Sequence, residues 1–215
     1  FVEGLVRHGL GYVYMSLHGA VAATHNRHAG DDTFRETLAA LDNLAAVPDL
    51  HHTVNAVVTA WNAPELAALA DLVLGHAPAR VKFSFLEPKG AALSRLAELQ
   101  LAPAAAAARV REALTAALPR AQAVGGDVAW DALPFCLMDG WHGAYDDLLT
   151  NAITTMSEAF EADFFPVDHG SKQHAPACAD CALVHRCPGL WQAARERFGD
   201  GFLAPYPAAP EGYQK

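Results

Sequence analysis

Cysteine is scarce in this chain, with four in 215 residues. Disulfide frameworks belong to short, cysteine-dense, secreted chains, so that organisation is not expected. No apolar run is long enough to cross a bilayer as a helix. Positive charge is also in short supply: 15 Lys and Arg stand against 24 Asp and Glu, for a formal charge of -9. Duplex nucleic acid is a poor partner for such a surface. The start carries no signal-peptide pattern, and there is no internal repeat beyond a strand–helix rhythm. Cysteine usage fits a reducing cytoplasm, the expected location.

What is present is concentrated near the C-terminus. Three cysteines lie in Cys178-Ala-Asp-Cys181-Ala-Leu-Val-His-Arg-Cys187-Pro-Gly189, and Cys136 lies upstream in Leu-Pro-Phe-Cys136-Leu. Thiolates are soft ligands that select zinc, Cu(I) or iron–sulfur clusters. Zinc ribbons usually pair two Cys-x-x-Cys hooks, and here the second hook is missing. Iron–sulfur clusters tolerate scattered ligands. On spacing alone zinc and cluster stand level. Cys136 reads either as the fourth ligand or as a small buried hydrophobe that leaves one position open. His185, inside the hook, reads either as a replacement ligand or as a loop histidine.

The first hundred residues alternate strand and helix. Strands are predicted over 11–17, 51–59 and 80–86, the last ending in Glu87-Pro88-Lys89-Gly90. A helix is predicted from Thr33 to Ala46, capped by Asp31 or Asp32 and stopped by Pro48. The next helix has Asn62 as its cap, Pro64 in its first turn and Gly75 past its end. This order predicts an α/β fold with a parallel sheet and helices outside it. Ligands in that class sit at the carboxyl ends of strands, where Ser16, Thr59 and Glu87 would share a rim.

After Gly90 helices are expected over 93–100 and 103–118, then a weak strand over 123–130 and a loop over 133–136. A helix over 144–160, an irregular stretch over 163–176 and a helix over 188–198 follow. The tail from Ala204 is expected to be mobile. Asn55 interrupts an apolar strand and either faces a lumen or turns outward; an inward amide needs partners. Ser16 either closes a strand or serves a polar ligand. Arg27, on the loop after the first strand, either meets a carboxylate or lies in solvent.

Taken in order, these segments resemble the radical S-adenosylmethionine superfamily. Ser16-Leu-His-Gly19 with His25, Gly30 and Phe34 is similar to the family's fourth βα unit. Val54-Asn55-Ala-Val-Val-Thr59 with Asn62 and Glu65-Leu66 is similar to its fifth strand, and Phe85-Leu-Glu87-Pro88-Lys-Gly90 to the end of its sixth. The four cysteines, with Gly189 and Phe198-Gly199, resemble the SPASM and twitch extensions of peptide- and cofactor-modifying members. Trp191 stands where a full SPASM motif has another cysteine, which favours one auxiliary cluster over two.

The resemblance implies the C-terminal half of a partial TIM-like (β/α)6 barrel over 1–100, a small irregular and helical iron–sulfur domain over 101–203, and a tail over 204–215. It implies an auxiliary 4Fe-4S cluster on Cys136, Cys178, Cys181 and Cys187, with S-adenosylmethionine near Ser16, Arg27, Asn55 and Glu87. A peptide or small-molecule substrate and a reductant such as flavodoxin or ferredoxin would be the partners. The Cys-x-x-x-Cys-x-x-Cys that holds the S-adenosylmethionine-cleaving cluster is absent. Because Phe1 reads as mid-helix, it is expected upstream in a longer chain. Two alternatives stay open: a zinc-binding scaffold on a truncated α/β domain, and a non-catalytic relative that binds a partner.

Overall fold

The computed structural model describes residues 2–47, 50–76, 80–147, 154–155, 165–166, 171–210 and 213. A short helix, α1 (Val2–Arg7), leads into β1 (Tyr12–Ser16), then α2 (Ala22–Ala29), α3 (Phe34–Ala45) and β2 (His51–Val58). Next come α4 (Leu66–Leu74), β3 (Arg80–Phe85), two single-turn helices α5 (Ala91–Ser94) and α6 (Leu96–Leu99), the long α7 (Pro103–Ala123) and β4 (Asp127–Asp131). The four strands form one parallel sheet in the order β1-β2-β3-β4. The α/β expectation stands, and the sheet continues past residue 100 to Asp131.

The register gives the sheet two unlike faces. Val13, Val54, Val81 and Val128 share one face with Ala56, Phe83 and Trp130. This face packs on α4 and α7, whose buried positions include Leu69, Val73, Val110 and Leu114. The buried residues of α7 are largely alanines, and α4 and α7 lie in close contact. Small side chains permit such an approach without loss of helix propensity.

The opposite face is polar. Tyr14 and Ser16 of β1 lie beside Thr53 and Asn55 of β2, which lie beside Arg80 and Lys82 of β3; Ser84 lies beside Asp131 of β4. A parallel sheet usually buries apolar residues on both faces. Here the second face carries a buried ion pair, Lys82 Nζ to Asp131 Oδ2 at 2.9 Å, with Lys82 only 1% exposed. Tyr12 Oη donates to Thr53 Oγ1 at 2.7 Å, and Arg80 bridges Asp146 and Asp127 at 2.9 and 3.3 Å.

Several local expectations change. Residues 22–29 form α2 rather than a loop, so Arg27 sits on a helix. Neither Asp31 nor Asp32 caps α3 directly. Asn26 of α2 does so, its Oδ1 accepting from the backbone N–H groups of Thr33 and Phe34 at 3.2 and 3.0 Å. Asp32 instead accepts from Asn26 Nδ2 at 2.6 Å. Asn62 precedes a helical turn but makes no side-chain cap. Helix α7 runs past the expected end at Leu118, through Pro119 to Ala123, because fully buried Ala121 anchors its last turn.

The helix expected over 144–160 falls largely outside the described residues, and the irregular stretch over 163–176 falls partly outside them. Within them β5 (Thr154–Thr155) pairs antiparallel with β6 (Phe165–Pro166). Another small antiparallel pair joins β7 (Lys172–Gln173) to β8 (Leu190–Trp191). Helix α8 (Gln192–Phe198) follows directly, so the expected helix over 188–198 begins with a strand.

Candidate functional site

All four cysteines line one cavity. Cys136, Cys178, Cys181 and Cys187 share it with Phe135, His174, Leu183, Leu190 and Tyr206, around about 390 Å³ of empty space that includes its open mouth. Each thiol is free and half-buried. Cys136 is brought there by a 3-10 turn (Phe135–Leu137) that follows β4. Cys178 ends another such turn (Pro176–Cys178), and Cys181 N bonds back to Cys178 O at 3.0 Å, which folds the hook tightly. Cys187 N bonds to Leu183 O at 2.9 Å.

Backbone N–H groups point at the sulfurs. Phe135 N and Gly189 N lie 3.4 and 3.5 Å from Cys187 Sγ, and Tyr206 N lies 3.4 Å from Cys181 Sγ. Ala204 N–H serves Cys136 Sγ. Gly189 makes its approach possible: its φ is 75°, and a Cβ there would meet the Gln173 carbonyl oxygen at 2.7 Å. Burial pushes the Cys136 and Cys187 thiols up from their ordinary range, opposed by these N–H donors. A bound cation would reverse that balance, since a coordinated thiol is deprotonated. Among the described residues, no three His, Cys, Asp or Glu side chains gather closely enough to hold a single metal ion.

Residues 204–206, expected to be mobile, belong to this site. Tyr206 O accepts from Ala182 N at 2.8 Å, and Tyr206 Oη donates to Asp139 at 2.9 Å.

A second, open cavity lies at the carboxyl ends of β1 to β3. It is bounded by His18, Arg27, His28, Thr59, Trp61 and Arg95, around about 620 Å³ of empty space. Its wall is a histidine network. His18 Nδ1 accepts from Val57 N at 3.3 Å, His25 Nδ1 accepts from His18 N at 3.2 Å, and His28 Nε2 meets Thr59 Oγ1 at 2.7 Å. Burial, reinforced by His28 and His25, pushes His18 down to about 4; burial also lowers His25 and His28. Asn62 is fully buried beneath the rim. Its amide donates to His18 O and Val57 O at 2.9 and 2.8 Å, and its Oδ1 accepts from Thr59 N at 2.9 Å. It clamps two loops, which explains why its side chain caps nothing. A Cβ on Gly19 would stand 2.4 Å from His25 N, so α2 packs against the strand end only with glycine there.

Among the described residues, no side-chain hydrogen bond or ion pair joins the four residues expected around the cofactor to one another. Ser16 and Asn55 are register partners on the polar face; Ser16 is exposed, and buried Asn55 accepts from Ser84 Oγ at 2.8 Å. Arg27 borders the rim cavity, its guanidinium 3.8 Å from the Trp61 ring centre and 3.9 Å from Glu98. Glu87 is turned to Lys89 at 2.6 Å. Lys82, Ser84 and Asp131 were missed. Their signal was available: Lys82 and Ser84 alternate with Val81, Phe83 and Phe85, the period-two mark of a strand with one polar face. No protein-family model, curated protein or solved structure matches this chain. Among the described residues, no helix is long and apolar enough to cross a membrane.

Proposed function

We propose that the chain is the later part of a radical S-adenosylmethionine enzyme and that Cys136, Cys178, Cys181 and Cys187 hold an auxiliary 4Fe-4S cluster. One observation carries this reading: cysteines far apart in sequence line a single cavity, with backbone N–H groups directed at their sulfurs. The donor set suits the group, being four thiols with none left over. A lone zinc ion draws its thiolates to about 2.3 Å from one point. Thiols set around a cavity suit a ligand that spreads over several metal atoms.

The barrel reading draws support from the sheet. Helices cover its apolar face, and the opposite face carries Tyr14, Asn55, Lys82, Ser84 and Asp131, polar groups suited to a barrel interior that holds a polar ligand. In such an enzyme, bound S-adenosylmethionine and its own upstream cluster supply a 5′-deoxyadenosyl radical. This chain's part is to orient and shield. Ser16 offers a hydroxyl at the end of β1 and Asn55 an amide beside it within β2, and Arg27 offers a guanidinium to an anionic group. The buried Lys82–Asp131 pair fixes charge beneath the polar face and holds β3 to β4 there. The four thiols hold the auxiliary centre, which a flavodoxin- or ferredoxin-type reductant would serve.

Anaerobic purification with iron and sulfide tests this. A brown protein with about four irons and four sulfides per chain is expected, from the cluster formula, and each Cys→Ser variant should lower that content. A colourless protein with stoichiometric zinc would overturn the reading in favour of a zinc-binding scaffold.

A further inference from the structure

We infer that Leu203–Tyr206 is a lid on the thiol centre and that the Tyr206 backbone N–H helps set its reduction potential. This rests on the reading of the centre as a redox cluster. The lid is fastened to both cysteine-bearing segments. On the hook side, Tyr206 N donates to Cys181 Sγ at 3.4 Å while Tyr206 O accepts from Ala182 N at 2.8 Å. The backbone of one residue is thus held from both directions. On the Cys136 side, Ala204 N–H serves the Cys136 sulfur. The Tyr206 ring crosses the same gap, its Oη donating to Asp139 Oδ1 at 2.9 Å and lying 3.3 Å from His142 Nε2.

An N–H aimed at a ligating sulfur stabilises negative charge there. Reduction adds negative charge, so each such donor favours the reduced state and raises the potential. Covering the mouth also limits solvent access, which acts on the same quantity. The ring and the N–H are separable. Tyr206→Phe removes only the hydroxyl, Tyr206→Ala removes the ring and keeps the N–H, and Tyr206→Pro removes both.

The test is an EPR-monitored redox titration of the chain, loaded anaerobically with iron and sulfide. The potential of Tyr206→Pro should lie below that of Tyr206→Ala, with Tyr206→Phe close to the unsubstituted chain. Equal potentials for the Pro and Ala variants would overturn the role of the N–H. A second measurement avoids any folding defect of the Pro variant. With ¹⁵N-tyrosine incorporated, the reduced centre should show a ¹⁵N hyperfine coupling that Tyr206→Phe, carrying unlabelled Phe, abolishes. A coupling that survives in Tyr206→Phe, or is absent from the start, would overturn the lid's role. Stoichiometric zinc in place of iron would overturn the redox reading itself, an outcome distinct from both.

Discussion

A Cβ on Gly189 would stand 2.7 Å from the Gln173 carbonyl oxygen, with the backbone at a φ of 75°. The left-handed conformation alone costs a non-glycine residue about 1–2 kcal/mol. The contact is with β7 backbone, which cannot swing aside as a side chain would. Gly189→Ala should therefore destabilise the β7–β8 pair beyond that conformational cost and displace an N–H donor from Cys187 Sγ. Thermal melting and iron content would check this; unchanged values for both would refute it. His18 makes a second case. Its folded value of about 4 lies below the ordinary 6.5, so the unfolded chain binds more protons between those limits. Its contribution to stability is complete above pH 6.5 and is lost as pH falls toward 4, on the order of 3 kcal/mol. Denaturant titrations at pH 7 and 4.5 should show that loss, and His18→Gln should flatten the dependence. An equal slope in both proteins would argue that other groups carry it.

Helix α7 stands or falls on the smallness of one face. Ala106, Ala113 and Ala117 are buried on the side of α7 that packs against α4 and the sheet. Ala113→Leu would push extra methylenes into that contact and should cost about 1–3 kcal/mol; a Leu variant as stable as the parent in a denaturant melt would mean the helices separate freely. The strands of this sheet were legible because β2 and β3 are rich in β-branched or aromatic residues, Val54, Val57 and Val58 in one and Val81, Phe83 and Phe85 in the other, and are bounded by turn-forming residues. The Cys178–Cys187 hook was legible because ligand spacing is local. Helix α2 was not legible: Thr24, His25, Asn26, Arg27 and His28 offer no apolar period, and the segment is held by polar bonds to Thr59 and the start of α3. The cap of α3 was missed for the same reason, since Asn26 reaches it across a turn. The place of 203–206 was hidden because its contacts are backbone N–H groups, which every residue but proline carries. Arg27 and Glu87 were chosen by resemblance, and local partners, Glu98 and Lys89, engage them.

At the scale of the molecule the sheet has one unsatisfied side. Strand β1 pairs with β2 along one edge, and its other edge has no partner strand among the described residues. Tyr12 and Tyr14 stand 50% and 42% exposed there. Beside them an open apolar surface runs over Leu5, Leu10, Val13, Met15 and Leu44. An unpaired strand edge next to apolar surface is a template for another strand. The chain should therefore self-associate, and light scattering after size exclusion should show species above the monomer mass. Val13→Lys places a charge on that edge, the device natural sheets use to block pairing. It should shift the distribution toward monomer without changing the iron content of the thiol centre, because Cys136 and the hook lie beyond β4, at the other end of the sheet. A parent chain that runs as a single monomer and melts cooperatively would show that the edge is covered. A Val13→Lys chain that associates as before would place the contact elsewhere.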